Sequence, residues 1–212
     1  MKTKTLLQIQ ASIFSDGGES SRLASRFVSR WKADQPGAEV IVRDLGREPV
    51  PHLTAERFQS FLAKPDERTP AQRGVADYSD SLIAELERAD VIVLGLPMYN
   101  FGVPSTLKAY FDHIARAGRS FKYTEKGPVG LLTGKKAFVF ATRGGLYAGT
   151  PLDTQTSYVR DFLRFLGISD VEFVYAEGLA FGDAPKSAAL AKAANEAHAL
   201  ASRPAPEIAI AA

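Results

Sequence analysis

The chain has 212 residues, of which 45% are hydrophobic, so one domain with a sizeable core is expected. A net charge of +2 is too small for a surface that binds nucleic acid, and the absence of cysteine excludes disulfides, thiolate metal ligands and thiol catalysis. The apolar cluster at Leu6, Leu7 and Ile9 is far shorter than a signal peptide or the ~18 residues of a membrane span, so we expect a cytoplasmic protein with no membrane partner.

Strand and helix signals alternate along the chain. Short apolar runs predict five strands, at residues 6–10, 40–42, 91–96, 137–141 and 171–175. Between the first three runs, apolar residues recur at helical spacing. A serine cap at Ser20 or Ser21 predicts the start of the first helix, and Thr69 followed by proline predicts the start of another, with a short helix near 55–63 between them.

The second half of the chain continues the alternation. A helix is expected to start at Pro104 and to close at Gly118, and residues 119–134 are expected to form a hairpin or ordered loop. Two more helices are predicted, one ending at Gly167 and one that is alanine-rich and opens at Asp183. We expect a single domain over residues 1–202 and a loose tail over 203–212.

Five apolar strands separated by helices predict an α/β fold in which a parallel sheet is covered on both faces. Right-handed crossovers leave few topologies, and the flavodoxin-like order 2-1-3-4-5 is the one that we expect. In that doubly wound fold, ligands bind beyond the carboxyl ends of the strands at the switch point. The loops after strands 1, 3 and 4 should therefore meet there.

The loop after strand 1 is rich in serine and glycine and leads directly into a helix. Backbone N–H groups at a helix start bind phosphate, and hydroxyls at Ser12 and Ser20 can add hydrogen bonds. The acidic Asp16 and Glu19 oppose this unless their side chains turn away, and a polar loop with a capping serine is the alternative. Neither a P-loop motif nor a dinucleotide fingerprint is present.

The loops after strands 3 and 4 have features that suit a flat polar heterocycle. Met98, Tyr99, Asn100 and Phe101 offer backbone donors, an amide and two rings, and the glycines after Arg143 allow close approach to a ring. The alternatives are a turn with incidental aromatic residues and a glycine loop that needs positive φ. Together with the phosphate-type loop, these segments favour a flavin and redox chemistry.

Other residues carry weaker signals. Trp31 is expected to pack in the core, and the charges at Glu85, Glu87 and Arg88 fit a solvated helix face. The three histidines, His52, His113 and His198, have no metal-site spacing, so no metal site is expected.

The loops also resemble a known family. The chain resembles the FMN-dependent NADH:quinone oxidoreductases, also known as FMN-dependent azoreductases, in Met-Tyr-Asn-Phe at 98–101 and Arg-Gly-Gly at 143–145. Further segments carry the resemblance at 42–45, 107–112, 115–118, 121–128 and 132–136. The similarity extends to about Gly182. Where Thr142 and Gly18 lie, members of the family often have serine.

The resemblance implies a role for each matching residue. Ser12, Gly18, Glu19 and Ser20 would lie at the phosphate of a non-covalently bound FMN. The ring system would contact two segments, made of Met98, Tyr99, Asn100, Phe101, Thr142, Arg143, Gly144 and Gly145. Phe101, Phe121, Tyr123 and Phe162 are candidate walls for a flat substrate, although helical spacing explains Phe162 equally well as a core residue.

The resemblance also implies a reaction. NADH or NADPH would reduce the flavin, and a quinone or azo compound would then be reduced in the same place, with the flavin rather than a catalytic side chain carrying the chemistry. A flavodoxin-like electron carrier and a non-catalytic flavin-binding protein are the alternatives. Such carriers are typically acidic, and the isoelectric point here is about 8.8.

A homodimer is expected from the resemblance and from two long connections. Residues 45–69 and 119–134 are long for a doubly wound domain, and they carry Phe58, Phe61, Phe121 and Tyr123. Because one small sheet cannot easily cover these rings, we expect a second copy to cover them and to share the site.

Overall fold

The computed structural model describes residues 3–202, so the predicted tail at 203–212 lies outside the described residues. Seven strands are present in that range: β1 (Thr5–Gln10), β2 (Glu39–Asp44), β3 (Val91–Pro97), β4 (Phe121–Thr124), β5 (Gly127–Gly130), β6 (Lys136–Thr142) and β7 (Asp170–Ala176). Five of them form a parallel sheet in the order β2-β1-β3-β6-β7, which confirms the predicted order 2-1-3-4-5. The other two, β4 and β5, form an antiparallel hairpin, which is one of the two forms expected for residues 119–134.

Six α-helices cover the sheet within the described range: α1 (Glu19–Ala33), α2 (Ala55–Leu62), α3 (Pro70–Arg88), α4 (Ser105–Ile114), α5 (Thr154–Phe165) and α6 (Asp183–Ala201). The predicted start at Thr69 is confirmed, because Thr69 and Gln72 form a capping box. No helix in residues 3–202 is long and apolar enough to cross a bilayer.

Two predicted helix boundaries were wrong. Helix α1 begins before Ser20 and Ser21, because the N–H of Arg22 already bonds the carbonyl of Gly18, so both serines lie buried in the first turn. Helix α4 ends at Ile114 rather than at Gly118. The chain turns out of the helix at Ala115, with φ −84° and ψ 81°.

The sheet separates two apolar layers, as the alternating directions of strand side chains require. On one face, Leu7 and Ile92 pack with α3, α4 and α5. On the other, Phe138 packs with α1 and α6, and Trp31 is buried there, which confirms its predicted packing role. Both faces of the parallel sheet are thus covered by helices, so a ligand site is expected in the loops at the edges of the sheet.

Helix α1 starts directly against the sheet because β3 carries a glycine there. A Cβ on Gly95 would lie 3.0 Å from the carbonyl oxygen of Ser20. The absence of a side chain therefore lets the first turn of α1 approach the carboxyl end of β3. This contact brings the α1 N-terminus to the switch point between β1 and β3.

Candidate functional site

A cleft of about 200 Å³ lies at the carboxyl edge of the sheet. It is lined by residues of the loops after β1, β3, β6 and β7: Ser12, Phe14, Gly18, Glu19, Pro97, Met98, Tyr99, Thr142, Arg143, Gly144 and Leu179. Eight of the twelve predicted cofactor residues are in this lining. Phe14, Pro97 and Leu179 were not predicted.

At the start of α1, the cleft meets a helix N-terminus with free donors. The N–H groups of the first turn have no partner inside the helix. The hydroxyl of Ser20 also has none within residues 3–202, but Ser20 is fully buried and is not among the lining residues. The Ser12 hydroxyl accepts a hydrogen bond from the N–H of Phe14 at 3.1 Å and lies 3.4 Å from the Tyr99 hydroxyl. These neutral donors suit a phosphate group.

The two acidic residues of this loop are paired with cations. Glu19 lies 2.9 Å from the ammonium of Lys186 and 3.7 Å from the guanidinium of Arg22. Asp16 lies 3.4 Å from Arg47. Because both carboxylates face positive charges, they oppose an anion at the helix start far less than the sequence suggested.

Residues 99–102 form a tight turn beside the cleft. Tyr99 and Gly102 exchange two backbone hydrogen bonds, and Asn100 and Phe101 between them have positive φ values of 50° and 62°. A bulky residue such as Phe101 rarely adopts this conformation, and such strain is concentrated at functional sites. Asn100 and Phe101 therefore stand at the rim of the cleft and are exposed rather than part of its lining.

Two side chains that sequence reasoning missed hold this turn from α5. The buried amide of Gln155 donates to the carbonyls of Pro97 at 2.9 Å and of Gly102 at 3.0 Å, and the hydroxyl of Thr154 donates to the carbonyl of Phe101. No local pattern marks Gln155, because its partners lie more than fifty residues away.

The loop after β6 differs from the prediction in two respects. The side chain of Arg143 is fully buried and ion-paired with Asp153 and Glu177, so it can offer the cleft only its main chain. Neither Gly144 nor Gly145 has positive φ, which rules out the alternative of a glycine loop that needs it. Gly144 lines the cleft, whereas Gly145 lies beside it.

The three other predicted substrate-binding rings do not line the cleft either. Phe121 is buried against Phe165, with 4.4 Å between ring centroids, and Phe162 stacks on Phe111 at 4.0 Å. Tyr123 on the hairpin is 74% exposed. Within one chain, Phe121 and Phe162 serve packing, and only Tyr123 is free to reach a second copy.

His113 is a buried core residue. Its ring Nδ1 lies 2.9 Å from the carbonyl oxygen of Ala109, and burial lowers its pKa below the ordinary value. A neutral ring is therefore favoured. Residues 3–202 contain no cluster of three or more histidine, aspartate or glutamate side chains placed to hold a metal ion.

A second cleft, of about 240 Å³, lies near the end of β2. It is lined by Gln10, Asp16, Val42, Asp44, Arg47 and Glu48. Asp16 and Arg47 are largely exposed and paired with each other. Five of its six lining residues are charged or polar, whereas ligand sites are mostly apolar, so the cleft beside α1 is the better candidate.

Comparison with known proteins decides the family. A family model described as flavodoxin-like fold matches residues 4–201. An FMN-dependent NADH:quinone oxidoreductase from Cellvibrio japonicus is 57% identical over 188 residues, which cover 89% of this chain and 94% of that protein. The chain belongs to the FMN-dependent NADH:quinone oxidoreductase family. The resemblance found in the sequence is thereby confirmed.

Other members and structures agree with this assignment. The FMN-dependent NADH:quinone oxidoreductase of Alcanivorax borkumensis is 52% identical, over 90% of this chain and 96% of that protein. An FMN-dependent NADH-azoreductase from Bacillus anthracis, solved in complex with FMN, superposes with a TM-score of 0.86 at 29% identity, over 95% of this chain and 99% of that one. The oxidoreductase family therefore shares its fold with azoreductases.

Proposed function

We propose that this chain is an FMN-dependent enzyme that transfers electrons from NADH or NADPH to quinones and azo compounds. The observation that carries the proposal is that the loops after β1, β3 and β6 meet at one cleft. The N-terminus of α1, which suits a phosphate, lies at one end of the cleft, and the backbone of the loops after β3 and β6 lies at the other. The names of relatives at up to 57% identity support the same activity.

The described residues fit FMN. The N-terminus of α1, with Ser12, Gly18 and the free N–H of Ser20, would hold the phosphate. The segments 98–101 and 142–145 would hold the ring system, chiefly through main-chain groups. When bound, FMN supplies the hydride chemistry, so the chain needs no acid or base of its own.

The protein's contribution is positioning and exclusion of water. Of the cleft-lining side chains that carry charge, Glu19 is ion-paired and Arg143 is buried. Apolar groups of Phe14, Pro97 and Leu179 complete the lining and limit access of water to a bound ring.

We further propose a cytoplasmic homodimer in which both chains complete each site. The volume of about 200 Å³ is below the roughly 300 Å³ at which ligand pockets usually begin. Apolar side chains stand exposed around the cleft, namely Ile13, Phe14, Leu146 and Phe181. A second chain packed there would enlarge the enclosed space and cover these side chains.

The test begins with the absorbance spectrum of the purified protein. We expect yellow protein that releases FMN rather than FAD, and steady oxidation of NADH when benzoquinone is added. A flavodoxin-like carrier would bind FMN without steady turnover. Colourless protein that gains no flavin signal on titration with FMN would contradict the proposal.

A further inference from the structure

A buried ion cluster lies behind the loop after β6. The guanidinium of Arg143 donates to Asp153 at 2.7 Å and to Glu177 at 3.2 Å, and it stacks on the ring of Tyr175 at 5.0 Å from the centroid. A buried arginine is costly unless its charge is compensated, so this cluster has a defined geometry. Because the cluster lies next to the cleft, it can fix the backbone of the neighbouring loop.

Glu177 connects the buried cluster to the neighbouring loop, which contains Tyr147. The carboxylate oxygen that accepts from Arg143 also accepts from the N–H of Tyr147 at 2.8 Å and from the N–H of Ala148 at 2.9 Å. Charge-assisted hydrogen bonds to main chain are strong and directional. The backbone at Tyr147 is therefore fixed by Glu177, and Glu177 by Arg143.

The ring of Tyr147 lies where Gly145 has no side chain. A Cβ on Gly145 would be 2.6 Å from both Cζ and the hydroxyl oxygen of Tyr147. The other side of the ring meets Phe101 edge-on, with 5.5 Å between centroids. The two rings thus come from two different loops. The Phe101 ring is carried by a residue whose backbone φ is positive.

We propose that Tyr147 extends the wall that Phe101 offers to a flat electron acceptor, and that Arg143 and Glu177 are positioning residues for Tyr147. This inference rests on the proposed function. Both rings are partly exposed and belong to the loops that line the cleft. Flat aromatic ligands gain affinity by packing on such rings, and a two-ring quinone gains more than a one-ring quinone.

The test compares single and double variants with a naphthoquinone and with benzoquinone. Tyr147→Ala and Glu177→Ala should each raise KM for the naphthoquinone about three- to tenfold, with a smaller rise for benzoquinone. The double variant should match Tyr147→Ala, because both changes remove the same wall. Tyr147→Phe keeps the ring and should keep the wild-type KM, and kcat and FMN affinity should not change.

Two further variants separate positioning from folding. Glu172→Ala is the matched control, since Glu172 is an ion-paired carboxylate on β7 that lies outside the cleft lining. It should have the wild-type KM. Gly145→Ala should displace the Tyr147 ring and raise KM even if Glu177→Ala fails to fold.

The outcomes distinguish this inference from the proposed function. An unchanged naphthoquinone KM in Tyr147→Ala overturns the wall. Loss of FMN from Tyr147→Ala, rather than a higher KM, also overturns it, because the ring would then contact the flavin. A wild-type protein without quinone reductase activity would instead contradict the proposed function itself.

Discussion

Gly18 lies so close to Ser12 that no side chain fits between them. A Cβ at Gly18 would be 2.2 Å from the Ser12 hydroxyl oxygen and 2.5 Å from its Cβ. Ser12 cannot rotate away without losing the hydrogen bond from Phe14. A serine at this position would therefore require a different arrangement of Ser12.

We expect Gly18→Ala to weaken FMN binding about tenfold or more, because relieving such a clash costs roughly 1–3 kcal/mol and displaces Ser12. Titration of the apoprotein with FMN, followed by flavin fluorescence, measures the change. Gly17→Ala is the matched control, since its Cβ would lie 3.7 Å from Phe14 in ordinary contact. Equal affinities for the two variants would count against a phosphate site at this loop.

Gly144 tests the other end of the cleft. Among residues 3–202, a Cβ there would come within 4 Å of Ala180 alone, at 3.4 Å, and the backbone φ is not positive, so the fold should tolerate a side chain. We expect Gly144→Val to fold normally by circular dichroism but to lose FMN affinity roughly a hundredfold, with a smaller loss for Gly144→Ala. A folded valine variant with wild-type affinity would place the ligand elsewhere.

Sequence patterns predicted which loops line the cleft better than they predicted what each side chain does there. Glycines at 144 and 145 indicated close approach, yet Gly145 accommodates Tyr147 of the same loop. Arg143 was predicted at the cofactor, but its side chain turns inward to Asp153 and Glu177. Side-chain direction depends on distant partners, and no local spacing reveals those.

At the level of elements, the loops after β6 and β7 act as one unit. The N–H groups of Gly178, Leu179 and Ala180 donate to carbonyls of Gly145, Arg143 and Gly144, respectively, at 2.9–3.1 Å. The start of α5 joins this unit through Asp153, and Gln155 of the same helix links it to the loop after β3. The helices and strands were predictable because their periodicity is local, whereas these cross-links join segments up to about sixty residues apart.

Asp153 provides a pH test of this unit. Burial alone would raise the pKa of its carboxyl, but hydrogen bonds from Arg143 and Thr156 outweigh burial and hold the pKa below the ordinary value. A lowered pKa in the folded state gives stability that is present above about pH 4 and is lost as the pH falls through the folded-state pKa.

We therefore expect Asp153→Asn to lower the free energy of unfolding by roughly 3 kcal/mol at pH 7, since a buried ion pair is broken. The difference from wild type should begin to shrink below about pH 4, where the carboxyl of the unfolded chain takes up a proton, and should keep shrinking as the pH falls through the lower folded-state pKa. Urea denaturation at pH 7 and pH 3 measures both values. Asp161→Asn, at an exposed aspartate of α5, is the control and should have little effect.

For the whole molecule, the topology was the most predictable feature. Continuous apolar strands and right-handed crossovers leave few arrangements, and the order β2-β1-β3-β6-β7 is the expected one. The dimer interface is harder to predict from sequence patterns. Phe121, expected at an interface, is instead buried within its own chain, and Tyr123 and Phe58 remain exposed.

A shared site makes activity depend on assembly. We expect a dimer by analytical sedimentation at assay concentration, because the exposed apolar rim of the cleft would otherwise face water. On dilution to the monomer, quinone reductase activity per chain should fall. If the monomer keeps full activity, each cleft is complete without a second chain and the shared site is wrong.

Helix α6 contacts the N-terminal end of α1, although it lines no part of the cleft. Lys186 in its first turn pairs with Glu19, and its Ala193 and Ala197 pack in one apolar layer with Phe27 of α1. A ligand that binds the start of α1 stabilises every segment that must be folded for its site to form. The C-terminal helix should therefore report occupancy: amide hydrogen exchange in α6 should slow when FMN is added, and more than in α3 on the opposite face.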